Sequence, residues 1–240
     1  MATVPKKVVY PTSDGKPMAE TDFRRDLMFD LIKALEDRYA DDPMAYVSGD
    51  LLMFYVEGDK RRHLAPDVFV VLGVTKKKRL NYLTWEEGKG PDLVIEVTSK
   101  TTRREDQGKK RDLYRDVLRV PEYFLFDPFA DYLKPPLQGY RLEDGDYVPI
   151  EPVDGRLPSA VTGLHLERDG RDCRLYDPAL GRWLPTPAEQ VAAATAELAA
   201  AEARAEADAR LVAEAEVERL RREVEALRRS KANGSNGASA

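Results

Sequence analysis

The chain has 240 residues, 42% of them hydrophobic and 34% charged, which accommodates one ordinary domain plus an extension and excludes a chain that is disordered throughout. With 38 Lys and Arg against 43 Asp and Glu, the net charge of −5 excludes a global basic field, so nucleic-acid contact must come from a local patch. One cysteine (Cys173) and two histidines (His63 and His165) exclude an intrachain disulfide or the usual cysteine-built zinc site and leave little support for a His-rich metal centre or a Ser-His-Asp triad.

Met1 to Tyr10 lacks the apolar core of a signal peptide, and no apolar run approaches the length of a membrane span. The expectation is a soluble, cytoplasmic protein with no membrane partner. Pro11, Gly15 and Pro17 mark a loop. A helix is predicted over residues 21–39, capped by Thr21 or Asp22, with Phe23, Leu27, Leu31 and Leu35 on its apolar face. Residues 45–56 read as a strand with room for a bulge at Ser48, Gly49 and Asp50. Residues 67–74 (DVFVVLGV) and 92–98 (DLVIEVT) read as strands buried on both faces. Between them lies KKKR, residues 76–79, which is either a solvated loop or a phosphate-contacting patch. A loop and helix cap over 99–102 precede a helix over 103–118, which ends before Pro121. A third strand covers 122–127, and glycine-punctuated hairpins follow to about residue 184.

Pro185 and Pro187 mark a boundary. Residues 188–229, rich in Ala, Glu, Arg and Leu, predict a long helix. In it Ala213, Val217, Leu220, Val224 and Leu227 alternate spacings of four and three, the seam of a coiled coil. The division expected is 1–186 as a domain, 187–230 as a helix, and 231–240 as a disordered Gly/Ser/Asn tail. The helix implies a homo-oligomer, such as a dimer, to which it contributes.

Two of the apolar strands carry acids that stability alone would not select. Burying a carboxylate costs several kcal/mol unless it is paired or coordinated. Glu96 is flanked by Ile95 and Val97, and Asp67 opens the earlier strand directly after Pro66. If these strands are neighbours, the two acids converge at one sheet end, where an all-oxygen site suits Mg²⁺ or Mn²⁺. Such a site can hydrolyse a phosphodiester, with a lysine adding positive charge. Lys110 is one candidate, since Arg103, Asp106, Lys110 and Tyr114 share a helical face; Lys100 and Lys109 are its rivals. The plainer alternatives are Asp67 as a turn residue and Asp106 with Lys110 as an ordinary surface pair.

The order helix, three strands, helix, strand resembles the core of the restriction-endonuclease-like fold, an α/β class, here with added hairpins and a helical tail. More closely, the text resembles the Uma-two family of restriction-endonuclease-like proteins, found in cyanobacteria and other bacteria. The resemblance covers roughly residues 10–186. It rests on Ala65-Pro66-Asp67-Val68, Pro91-Asp92-Leu93-Val94-Ile95-Glu96-Val97, then Ser99, Thr102, Arg103, Asp106, Lys110 and Tyr114, Glu122-Tyr123-Phe124, Asp127-Pro128 and Leu175-Tyr176-Asp177-Pro178. It implies a PD-(D/E)xK type, Mg²⁺-dependent endodeoxyribonuclease with Asp67 and Glu96 as metal ligands. The lysine of the ExK motif is replaced here by Thr98, which points to Lys110 on the following helix, with Lys100 second. Glu20 matches a position where some members of the wider superfamily carry an extra acid. DNA phosphates would be contacted by Lys76, Lys77, Lys78, Arg103 and Arg104. The competing reading is a non-catalytic binding or assembly protein on the same fold, oligomerised by its tail.

Overall fold

A computed structural model of the chain describes residues 8–11, 22–99 and 102–235. It divides into two compact units, Met1–Pro187 and Ala188–Ala240. In the first unit α1 (Asp22–Arg38) forms as the apolar spacing requires, with Leu27, Met28, Leu31, Ala34 and Leu35 buried along one stripe.

The strand expected over 45–56 is two strands, β1 (Ala45–Ser48) and β2 (Met53–Phe54), which join different sheets. They part at Gly49 and Asp50. Asp50 turns with φ of 46°, and its N–H donates to the Pro66 carbonyl at 2.8 Å. A Cβ on Gly49 would stand 2.1 Å from the Asp67 carbonyl oxygen and 2.6 Å from Ile32 Cδ1, so only glycine lets the chain pass this close to the residue before β4. β2 pairs with β3 (His63–Leu64) and with β5 (Tyr82–Leu83), and α2 (Thr84–Glu87) follows β5 directly.

The central sheet has the order β1, β4 (Val68–Leu72), β6 (Leu93–Val97), β7 (Glu122–Phe126), β8 (Leu137–Glu143), β9 (Asp146–Pro149). β6 and β7 run parallel, and the other neighbours are antiparallel. Every residue of β6 and β7 is buried, as expected of near-continuous apolar strands covered on both sides. One core joins α1 to Val68, Val70, Leu93, Ile95 and Val97, and continues into Leu164, Leu166, Cys173 and Leu175. The latter belong to the C-terminal sheet of β10 (Leu157–Pro158), β11 (His165–Asp169), β12 (Asp172–Asp177) and β13 (Arg182–Trp183), where hairpins were expected. A second core takes the alternate residues, Phe69, Val71, Val94, Tyr123 and Leu125, with Met53, Tyr82 and Tyr114.

The crossover from β6 to β7 departs from the plain α-helix expected over 103–118. Residues Glu105–Lys110 are a π-helix, and α3 (Arg111–Asp116) continues it. The Asp106 carbonyl accepts the Tyr123 hydroxyl at 2.8 Å, so a side chain shares in the backbone ladder where the helix widens. In the second unit α4 (Pro187–Ser235) is one helix of 49 residues that runs past Arg229, because no glycine interrupts it before Gly234. No helix among the described residues is long and apolar enough to cross a membrane.

Candidate active site

The register that pairs Val68 with Ile95 carries one step further to Asp67 beside Glu96. Alternation puts both side chains on the sheet face that the π-helix and α3 cover. The Asp67 carboxylate is tied in place from two sides. It accepts the Val97 N–H at 2.8 Å, and Arg24 of α1 reaches both its oxygens at 2.7 Å. Glu96 is fully buried; one oxygen accepts the Tyr114 hydroxyl at 2.6 Å and the other accepts Lys110 Nζ at 3.0 Å. Lys110 Nζ also lies 3.2 Å from Asp106 Oδ1, although neither Asp106 oxygen accepts a well-formed hydrogen bond among the described residues.

Asp106 is therefore no surface partner. It has no exposure at all, and the reading of Asp106 and Lys110 as an ordinary solvated pair is corrected. The widened turn brings Asp106, Lys110 and Tyr114 together over Glu96. The other buried acids are held differently. Glu122 is bonded by Arg141, Ser159 and two backbone N–H groups, and Asp127 and Asp177 accept the N–H groups of their own turns. Those carboxylates organise backbone, whereas Glu96 and Asp106 meet on one ammonium, and Asp67 lies beside Glu96 under Arg24.

Burial pushes the Glu96 carboxyl up to about 8, with Asp67 and Asp106 adding to the rise and Lys110 and Tyr114 opposing it. Burial likewise raises Asp106. For Lys110, burial alone would lower the value, but Glu96, Asp106 and Asp67 together hold it above an ordinary lysine. The two tendencies conflict at the 3.0 Å contact, because a protonated Glu96 would not hold Lys110 charged. Lys110 is best read as the ammonium, so that with Arg24 two cations face three acids and one negative charge is left without a counter-charge.

That shortfall is the observation that fits a cation. The donors are all oxygen, which suits a hard divalent ion such as Mg²⁺. No three Asp, Glu, His or Cys side chains among the described residues are placed to hold a metal by themselves. Asp67 and Glu96 would supply one carboxylate each, with water or substrate oxygens completing the shell, as Mg²⁺ commonly accepts. Arg24 and Lys110 now occupy the lone pairs of both acids, so a cation would share them with these groups or displace them.

The other expected residues are dispersed. Glu20 and Lys100 lie outside the described residues. Arg103 lies near the site, its guanidinium 5.5 Å from the centre of the Tyr132 ring, whose hydroxyl bonds Thr98. Arg104 and Lys109 are exposed on the crossover. Lys76 to Lys78 follow the far end of β4, a strand of five residues and about 16 Å from the end that carries Asp67. Lys76 donates to the Tyr39 and Ala40 carbonyls after α1, and Lys77 pairs with Glu87 at 3.2 Å. Sequence reasoning missed Arg24 altogether, and no local pattern marks it.

A model of the Uma2 family, described as "Putative restriction endonuclease", matches residues 6–174. The chain belongs to the Uma2 family. No curated protein matches it. Among solved structures it is similar to "a putative nuclease belonging to DUF820" from Anabaena variabilis, at 16% identity and a TM-score of 0.47, over 67% of this chain and 87% of that one. In this Uma2 protein the Asp67, Glu96, Asp106 and Lys110 cluster lies inside the matched span.

Proposed function

We propose that this Uma2 protein is a divalent-metal-dependent endonuclease that hydrolyses DNA phosphodiesters on a restriction-endonuclease-like core. The observation that carries the reading is the meeting of two buried acids, Glu96 and Asp106, on Lys110, with a third, Asp67, held beside Glu96 by Arg24 at the same sheet end; the other buried acids among the described residues organise turns or meet a surface arginine. Asp67 and Glu96 are the metal ligands. The ion would supply a Lewis acid that neutralises charge on the phosphodiester and acidifies the attacking water. Lys110, held charged by Glu96 and Asp106 in contact and by Asp67 beyond them, offers its ammonium to the scissile phosphate or to that water. Tyr114 orients Glu96 through its hydroxyl, and Arg24 fixes the rotamer of Asp67. Asp106 positions Lys110, and Arg103 lies close enough to the sheet end to meet a neighbouring phosphate.

The test is calorimetric titration of the full chain with Mg²⁺ and Mn²⁺, beside incubation with supercoiled plasmid. Saturable binding and metal-dependent nicking are expected. Neither binding nor nicking would leave a non-catalytic binding or assembly protein on this fold.

A further inference from the structure

A cleft of about 360 Å³ opens beside Lys110, between the turn that joins β2 to β3 and the π-helix. Arg61, Arg62, Lys109 and Lys110 line it, against two acids, Asp59 and Glu105. Asp59 is engaged by both arginines, at 3.2 Å from Arg61 and 3.9 Å from Arg62, so it anchors the turn's cations as well as offsetting them. Arg61 is 90% exposed and Arg62 62% exposed, leaving their guanidinium groups open to an anion. In a chain of net charge −5, this concentrates positive charge at the mouth of the carboxylate cluster. Tyr55 and His63 add flat side chains to the wall.

We propose that this cleft is the track for the DNA backbone, with Arg61, Arg62 and Lys109 binding phosphates next to the one at Lys110. The proposal rests on the nuclease reading for the choice of polyanion. It moves phosphate contact from Lys76 to Lys78, which stand at the far end of β4, to a turn whose KRR text the sequence did not single out. The test uses the full chain in EDTA and a fluorescent DNA of about 30 nucleotides, single-stranded and duplex, read by anisotropy across a salt series. Joint replacement Arg61→Ala, Arg62→Ala, Lys109→Ala should weaken binding roughly tenfold or more near 0.1 M salt and reduce the slope of log K against log salt by about three. Lys76→Ala, Lys77→Ala, Lys78→Ala should leave both unchanged. Wild-type affinity in the cleft variant, or a loss confined to the Lys76 to Lys78 variant, overturns the proposal, as does a wild type that binds neither DNA. Wild-type binding lost in the cleft variant, in a protein that cuts nothing with metal, sinks the nuclease reading and leaves the cleft standing.

A second proposal stands on α4 alone. Val217 and Val224 fall at a positions and Leu220 and Leu227 at d, and all four side chains are between 46% and 61% exposed on this single helix. β-Branched a with Leu at d favours two parallel strands. The flanks agree: Glu216 and Glu223 occupy g, and Arg221 and Arg228 occupy e. In a parallel, in-register pair Glu216 meets Arg221 of the second copy and Glu223 meets Arg228, whereas an antiparallel pair would set Glu against Glu and Arg against Arg. We infer that α4 docks on a second copy of itself as a parallel two-stranded coiled coil. Light scattering on the full chain should give twice the chain mass, and Leu220→Lys with Leu227→Lys should give a monomer. Glu216→Arg with Glu223→Arg should weaken the dimer, and adding Arg221→Glu with Arg228→Glu should restore it. Ala213→Cys, at d, should cross-link under oxidation. A monomeric wild type, a dimer indifferent to the Lys pair, or an Ala213→Cys dimer that does not cross-link overturns the inference.

Discussion

Asp67→Asn is expected to yield a folded protein that no longer binds Mg²⁺ and cuts DNA far more slowly than the wild type. Asparagine has the shape of aspartate and keeps a carbonyl oxygen for the Val97 N–H, now 2.8 Å away, so the junction between β4 and β6 survives. What disappears is the negative charge on which both Arg24 and the cation depend. Losing several kcal/mol of charge stabilisation in the transition state, about 4 kcal/mol, slows cleavage roughly a thousandfold. Asp67→Ala would be harder to read, because it also strips the Val97 N–H of its acceptor and opens space at the sheet end. Calorimetry and plasmid nicking, with thermal denaturation as the control for folding, measure the outcome. A variant that binds metal with wild-type stoichiometry and nicks at the wild-type rate would remove Asp67 from the site.

Lys110→Met is expected to cost about 3–5 kcal/mol at pH 8, the usual loss when one partner of a buried ion pair is removed. Methionine keeps much of the length and volume of lysine, so packing is largely conserved. Glu96 and Asp106, both without exposure, are left facing each other with no ammonium between them. The loss should shrink toward pH 4. A carboxyl held in the fold above its ordinary value contributes stability that is complete below its unfolded value and declines as pH rises toward its folded one. For Glu96 in the metal-free wild type that window runs from 4.5 to about 8. Without Lys110 both acids rise further, which extends the decline to higher pH and enlarges it. Lys110 itself, raised above 10.5, contributes fully throughout this window and is lost only in strong alkali. Urea denaturation of both proteins from pH 4 to 9 measures the difference. Equal stability at pH 8, or a deficit that does not change with pH, would show that the ammonium does not neutralise this cluster.

Much of the frame could be read in the residues themselves. A run such as Leu93 to Val97 buries both faces wherever it lies, so β6 and β7 were legible as central strands, and a charge inside the first of them was already anomalous. The long helix was equally legible, because propensity and seam spacing are local properties that need no partner to be recognised.

Tertiary structure decided what periodicity does not encode, namely which elements are neighbours and at what register. Pairing Val68 with Ile95 is what sets Asp67 beside Glu96, and a slip of one residue would have sent the two acids to opposite faces. Arg24 joins them from a helix 43 positions away, across an ion pair that leaves no spacing in the text. The run over 45–56 divides at Gly49, where a Cβ would stand 2.1 Å from the Asp67 carbonyl oxygen, a constraint imposed by a distant segment. Asp106 looked like half of a surface pair because an i,i+4 spacing is the same whether its helix faces water or a core; only the packing of the π-helix on β6 and β7 buries it against Glu96. The chain thus determines by itself that two strands carry acids at a cost to stability, and the fold determines that those acids lie side by side, one held by Arg24 and the other by Lys110.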